Sequence, residues 1–148
     1  MKISAKTEYA CIAMLELAAH YGTGNPVRIR RIAERHDVPP RFLVQILLQL
    51  KGAGLVDSVR GASGGYRLIR PPQEVTLGQV MEVVDSSSNG GGGDNGHSTA
   101  ASPDSPMVRV LSQTWRDVKR IERKMLREIT LASLVEKSRT EEEQMYHI

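Results

Sequence analysis

The stretch VRGASGGYRL, Val59 to Leu68, places three glycines and two arginines between two apolar runs. Glycine-rich segments cradle phosphate in two known settings, and the neighbouring residues test both. A P-loop requires G-x-x-x-x-G-K-[ST], and no Lys-Ser or Lys-Thr follows these glycines. A Rossmann turn leads from a strand into a helix, whereas Tyr66-Arg67-Leu68-Ile69 reads as another strand. A hairpin tip is expected instead, its arginine beside a glycine. Little else in the chain could do covalent chemistry. It has no Ser-His-Asp pattern, no H-E-x-x-H and no paired-cysteine motif. His20, His36, His97 and His147 share no metal-ligand spacing. Cys11, the single cysteine, lies between Ala10 and Ile12 and reads as a small apolar side chain rather than a redox thiol. No enzyme is expected.

A hairpin must be held by its neighbours, and periodicity supplies them. Lys6 to Tyr21 predicts a first helix, with Tyr9, Ile12, Ala13 and Leu17 on one face and Gly22 as a stop. Arg28 to His36 predicts a short second helix that buries Ile29, Ile32 and Ala33. After a tight turn through Asp37 and Val38, Pro39-Pro40 starts a third helix, with Phe42, Leu43, Ile46, Leu47 and Leu50 inward. Two strands, LVDSV and YRLI, flank the glycine turn, and Pro71-Pro72 closes the unit. Three helices and a two-stranded hairpin, with a turn of only a few residues between the second and third helices, give the winged helix-turn-helix order. Beyond it, TLGQVMEVVD predicts a fourth short helix with Thr76 and Gln79 at capping-box spacing. The glycine- and serine-rich run that follows reads as a flexible loop.

Met107 to Ile129 is the longest helix predicted, about 35 Å at 1.5 Å per residue. Leu111, Trp115, Val118, Ile121 and Met125 form a coiled-coil-like stripe along it, suited to a second copy of the chain or, failing that, to its own domain. A short helix at EITLASLVEK and a charged, frayed tail complete the chain. The expected architecture is mainly α with a small β-hairpin wing. Its parts are a winged helix-turn-helix domain at 1–73, a connecting helix at 74–85, the flexible loop at 86–106, the dimerisation helix and a short helix at 107–137, and the tail at 138–148.

The chain has 148 residues, 40% of them hydrophobic and 4% aromatic, so its core must be largely aliphatic. No apolar run approaches a membrane span and no signal-peptide core is visible, which with one cysteine predicts a cytoplasmic protein. The net charge of +3 is unevenly spread. From Pro26 to Gln73, nine basic residues face only Glu34, Asp37 and Asp57, whereas from Glu74 onward nine face twelve acids. A basic block confined to the helix-turn-helix and hairpin suggests a polyanion partner, the other reading being a solvated charged surface.

KISAKTEYACIAMLELA, IRRIAERHDVPPRFLVQILLQLKGAGLVDSVRGASGGYRL and VTLGQVMEVVD resemble the IscR/NsrR/CymR-type (Rrf-two) family of bacterial transcription regulators. The resemblance runs from Met1 to about Lys137 and is most specific over Leu50 to Leu68. It implies a cytoplasmic homodimer, formed by crossing long helices, that binds palindromic promoter sites as a repressor or activator. It also implies a major-groove role for the third helix. There Arg41 pairs with guanine or phosphate, Gln45 bonds adenine, and Phe42 either meets a thymine methyl or packs in the core. Arg60, with Gly61 beside it, matches the family's minor-groove element, and Lys6 is placed against a phosphate. In cluster-sensing members, three cysteines in the loop corresponding to 86–106 hold an iron-sulfur centre. Here the loop offers only Asp94, His97 and Asp104, which cannot replace thiolates, so no cofactor is expected. The signal, whether an effector or a protein partner, stays open. The alternative is a protein-interaction module that docks onto a metabolic enzyme, as some family members do; salt-dependent duplex binding separates the two.

Overall fold

The protein, seen here as a computed structural model, is described over residues 1–88 and 101–146. Most of the expected loop at 86–106, including Asp94 and His97, lies outside the described residues, as does His147. The described elements are helices α1 (Ala5–Ala19), α2 (Ile29–His36) and α3 (Pro40–Gly52), strands β1 (Val56–Val59) and β2 (Gly65–Leu68), and helices α4 (Leu77–Ser88), α5 (Pro106–Glu128) and α6 (Leu131–Tyr146). This is the expected winged helix-turn-helix order.

Ser4 caps α1, its Oγ accepting the Thr7 N–H at 3.1 Å. The apolar centre of the buried face of α1 is Ala10, Ala13, Met14 and Leu17, while the expected Tyr9 and Ile12 are only half-buried at its edge. The shift has a tertiary cause: α3, α4, α6 and β2 all pack on α1, and the small alanines let them approach. Between α2 and α3 the chain turns at Asp37, in the left-handed region at φ 54°, which aspartate tolerates. Val38 then plugs the core and donates its N–H to the Ala33 carbonyl at 3.1 Å. Leu43, Ile46, Leu47 and Leu50 of α3 are fully buried, but Phe42, expected among them, stays half-buried.

In the hairpin Val56 opposes Leu68 and Val59 opposes Gly65, leaving residues 60–64 as the tip. Val27 adds a bridge on the outer side of β2, exchanging two 2.8 Å hydrogen bonds with Tyr66. Gly65 makes this possible. Its φ is +149°, and a Cβ there would run into the Val27 carbonyl. The last glycine of the opening motif therefore seats the wing on the chain entering α2.

The Thr76–Gln79 capping box forms, with reciprocal bonds of 3.0 and 3.2 Å. Thr7 Oγ1 donates to Asp85 Oδ1 at 2.6 Å, fastening α4 to α1. Helix α5 buries none of its 23 residues; its C-terminal end is held by Leu77 N–H to the Ile129 carbonyl at 3.0 Å and by Arg127–Glu82 at 2.9 Å. The expectation for the C-terminus needs correction. Instead of a short helix and a frayed tail, α6 runs 16 residues to Tyr146. Its charged half lacks glycine and proline and is rich in glutamate, so nothing breaks the helix that Leu131 and Val135 anchor in the core.

Candidate nucleic-acid interface

Because Leu43, Ile46, Leu47 and Leu50 point inward, α3 turns a different set of side chains outward. Arg41, Val44, Gln45 and Leu48 are all exposed, and their spacing of three, one and three puts them on one helical face. Arg41 and Gln45 are thus where the sequence placed them. Phe42 lies at the rim of the core: its ring centroid is 5.7 Å from that of Tyr9, and the Arg41 guanidinium stands 5.1 Å above it. Val44, 45% exposed, went unremarked in the sequence because an isolated valine inside an apolar run carries no signal of direction. Lys6 is half-buried in the first turn of α1, one turn before Tyr9, which links it through Phe42 to the start of α3.

Arg60 and Gly61 stand exposed at the hairpin tip. Gly61 has φ +107° with open space around it, so the turn needs glycine for its backbone rather than for lack of room. Lys51 Nζ donates to Ser58 Oγ at 2.6 Å, fixing the end of α3 to the hairpin that carries this tip.

Behind α2 lies a group with no signature in the sequence. Glu16 is 5% exposed in the core of α1, and its Oε2 accepts from His36 Nε2 at 2.8 Å. Its Oε1 is 3.5 Å from Arg31, 3.6 Å from Arg35 and 3.7 Å from His20. Burial pushes this carboxyl upward, but the His36 hydrogen bond and the Arg35 and histidine charges outweigh it and hold it below the usual carboxylate range. The acid clamps the first helix of the helix-turn-helix to the domain. Arg35 also reaches Glu142 of α6 at 3.7 Å.

The long exposed apolar face belongs to α5. Leu111, Trp115, Val118, Ile121 and Met125 are 42 to 67% exposed, and Met107 and Val110 extend the face.

A basic recognition-type helix, a tight turn before it and a β-hairpin wing define a winged helix-turn-helix protein of the DNA-binding type. Residues 3–137 match the Rrf2 family, described as an iron-dependent transcriptional regulator, and the chain belongs to that family. It is 37% identical over 140 residues to the HTH-type transcriptional regulator IscR of Vibrio campbellii, covering 91% of this chain and 77% of that one. It is 38% identical over 90 residues to IscR of Cereibacter sphaeroides, a match spanning 60% of this chain and 58% of that relative's length. Among solved structures, T. potens IscR superposes with a TM-score of 0.74 at 34% identity, over 93% of this chain and 88% of that one. CymR of B. subtilis, titled the global cysteine regulator, gives 0.75 at 30% identity, over 93% and 98%. The chain is a transcriptional regulator of the IscR/CymR type, and the enzyme-docking alternative is not favoured. Among the described residues no helix is long and apolar enough to cross a membrane.

The iron in the family's description can be tested against the donors present. The whole chain has one cysteine. Burial, reinforced by the Asp85 and Glu8 charges, pushes the Cys11 thiol up to about 11, far from the thiolate a cluster requires. Among the described residues no three histidine, cysteine or acidic side chains come together as a metal site. This donor set does not fit an iron-sulfur cluster.

Proposed function

We propose that the protein is a homodimeric, sequence-specific repressor that reads the two halves of an inverted repeat and does so without an iron-sulfur cluster. The observation that carries this reading is the face of α5. A 23-residue helix with no fully buried residue, exposing Leu111, Trp115, Val118, Ile121 and Met125, has the form of half an interface. Two such helices crossing would set two winged domains side by side, as palindromic half-sites require.

Within each half, Arg41 and Gln45 enter the major groove, where arginine reads guanine and glutamine reads adenine. Phe42 supports Arg41 from below, and Val44 on the exposed face supplies the apolar contact for a thymine methyl. Arg60 reaches into the minor groove beside Gly61, and Lys6 meets a phosphate at the start of α1. The signal arrives by a route other than a thiolate-held cluster, and the protein acts in the cytoplasm. Titrating an inverted-repeat duplex and a scrambled one at two salt concentrations tests the reading. The expected result is tighter binding to the repeat, two protomers per duplex, and a steep loss of affinity as salt rises. Equal, salt-insensitive binding to both duplexes would overturn it.

A further inference from the structure

A groove of about 740 Å³ runs between α2 and the tip of the wing, lined by Arg28, Arg30, Arg31, Arg35, Ser63 and Gly64. Four arginines face it and Glu34 is the one acid on its wall. They are not equivalent. Arg31 and Arg35 lean back on Glu16, and Arg35 is shared with Glu142. Arg28 has no ion-pair partner among the described residues, and Arg30, 86% exposed, pairs only with Glu34, itself 67% exposed, at 2.8 Å. The placement also runs against helix stability. Arg28 is the N-cap of α2 and Arg30 and Arg31 lie in its first turn, with no acid there and no side-chain cap. Cations at that end oppose the helix dipole, so the arrangement suits an anion brought from outside. Arg28 also lines a second recess with Ser58 and Gly61, where it is the one charged side chain, so it faces both the groove and the hairpin.

We propose that Arg28 and Arg30 form a phosphate cleft that grips the DNA backbone between the grooves entered by α3 and the wing. This rests on the DNA reading above. The cleft has arginine on exposed, open walls, which favours a backbone passing through over an enclosed small ligand. Its occupant is a phosphodiester, contributing affinity without sequence preference.

The test uses the full chain with Arg28→Gln and Arg30→Gln together, a Lys/Lys counterpart, and matched and scrambled duplexes titrated from 50 to 200 mM salt. Each lost arginine lowers the salt slope by about 1. The double Gln variant is therefore expected to bind both duplexes more weakly by a similar factor. The dimer presents each arginine twice, so four contacts are lost and its deficit against the parent should shrink roughly 250-fold across that fourfold salt range. Unchanged melting and a parent-like slope in the Lys variant show that charge, not folding, is responsible. A parent-like slope in the Gln variant, or a loss confined to the matched duplex, overturns the cleft while leaving the DNA reading intact. A parent that binds no duplex overturns both. Stoichiometric binding of inorganic pyrophosphate to the DNA-free parent, abolished in the Gln variant whose DNA slope is unchanged, assigns the cleft to a small phosphorylated ligand and overturns the backbone reading.

Discussion

Replacing Glu16 by glutamine keeps the shape of the side chain but removes the charge that His36 hydrogen-bonds and that Arg31, Arg35 and His20 approach. At 2.8 Å the His36 contact is the main loss. A hydrogen bond to a charged group is worth about 1.5–3 kcal/mol, of which a neutral amide recovers roughly 1. Arg31 and Arg35 are about half exposed and stand 3.5 and 3.6 Å away, so solvent screens them to a few tenths each. The net cost at neutral pH comes to about 1–2 kcal/mol, or roughly 3–6 °C in melting temperature for a chain of this size. Because the carboxyl is held below its usual value, the stability it confers is present above the ordinary carboxylate range and is lost as pH falls through the lower folded value. Melting curves for parent and Glu16→Gln, at one fixed protomer concentration from pH 7 down to 3.5, should show a gap at neutral pH that closes in acid. A gap that persists unchanged to pH 3.5 would show that packing rather than charge is at stake. A variant more stable than the parent at pH 7 would show that the cost of burying the acid exceeds what its partners return, and would refute the clamp.

Changing Trp115 and Val118 to Asp together is expected to halve the mass seen by light scattering while keeping most of the helix signal, because both side chains are more than 40% exposed; a parent already monomeric at micromolar concentration would remove the dimer. Arg60→Ala should weaken binding to the specific duplex by about 1–3 kcal/mol and leave the melting temperature nearly unchanged, since the tip packs against little; parent-like affinity would displace the wing from the DNA. Cys11 should alkylate roughly 100-fold more slowly than a free thiol at pH 8 until the protein is unfolded, given a thiol pushed up to about 11. Anaerobically purified protein should be colourless and carry no acid-labile sulfide; a brown protein with stoichiometric iron and sulfide would contradict the donor argument.

What could be read from the sequence was whatever local chemistry decides. The Thr76–Gln79 capping box, Pro40 opening α3, the hairpin around the glycine turn and the single cysteine all depend on residues a few positions apart. The stripe on α5 was equally legible, because a helix face that the core does not bury keeps its apolar periodicity undisturbed. Where several elements converge, periodicity gives a face but not its edges. Ala10 and Met14 replaced Tyr9 and Ile12 at the centre of α1 because α4 and α6, far along the chain, pack there. Phe42 was drawn to the rim by Tyr9, and Val44 was left facing outward. The tertiary structure also decided the charges. Glu16 looks like any helical glutamate until the fold brings His36, Arg31 and Arg35 to it from α2. Arg28 and Arg30 became one wall of a groove only because Gly65 lets the wing close on Val27. Electrostatic partners are chosen by distance in space, and sequence spacing carries that distance only within a single element.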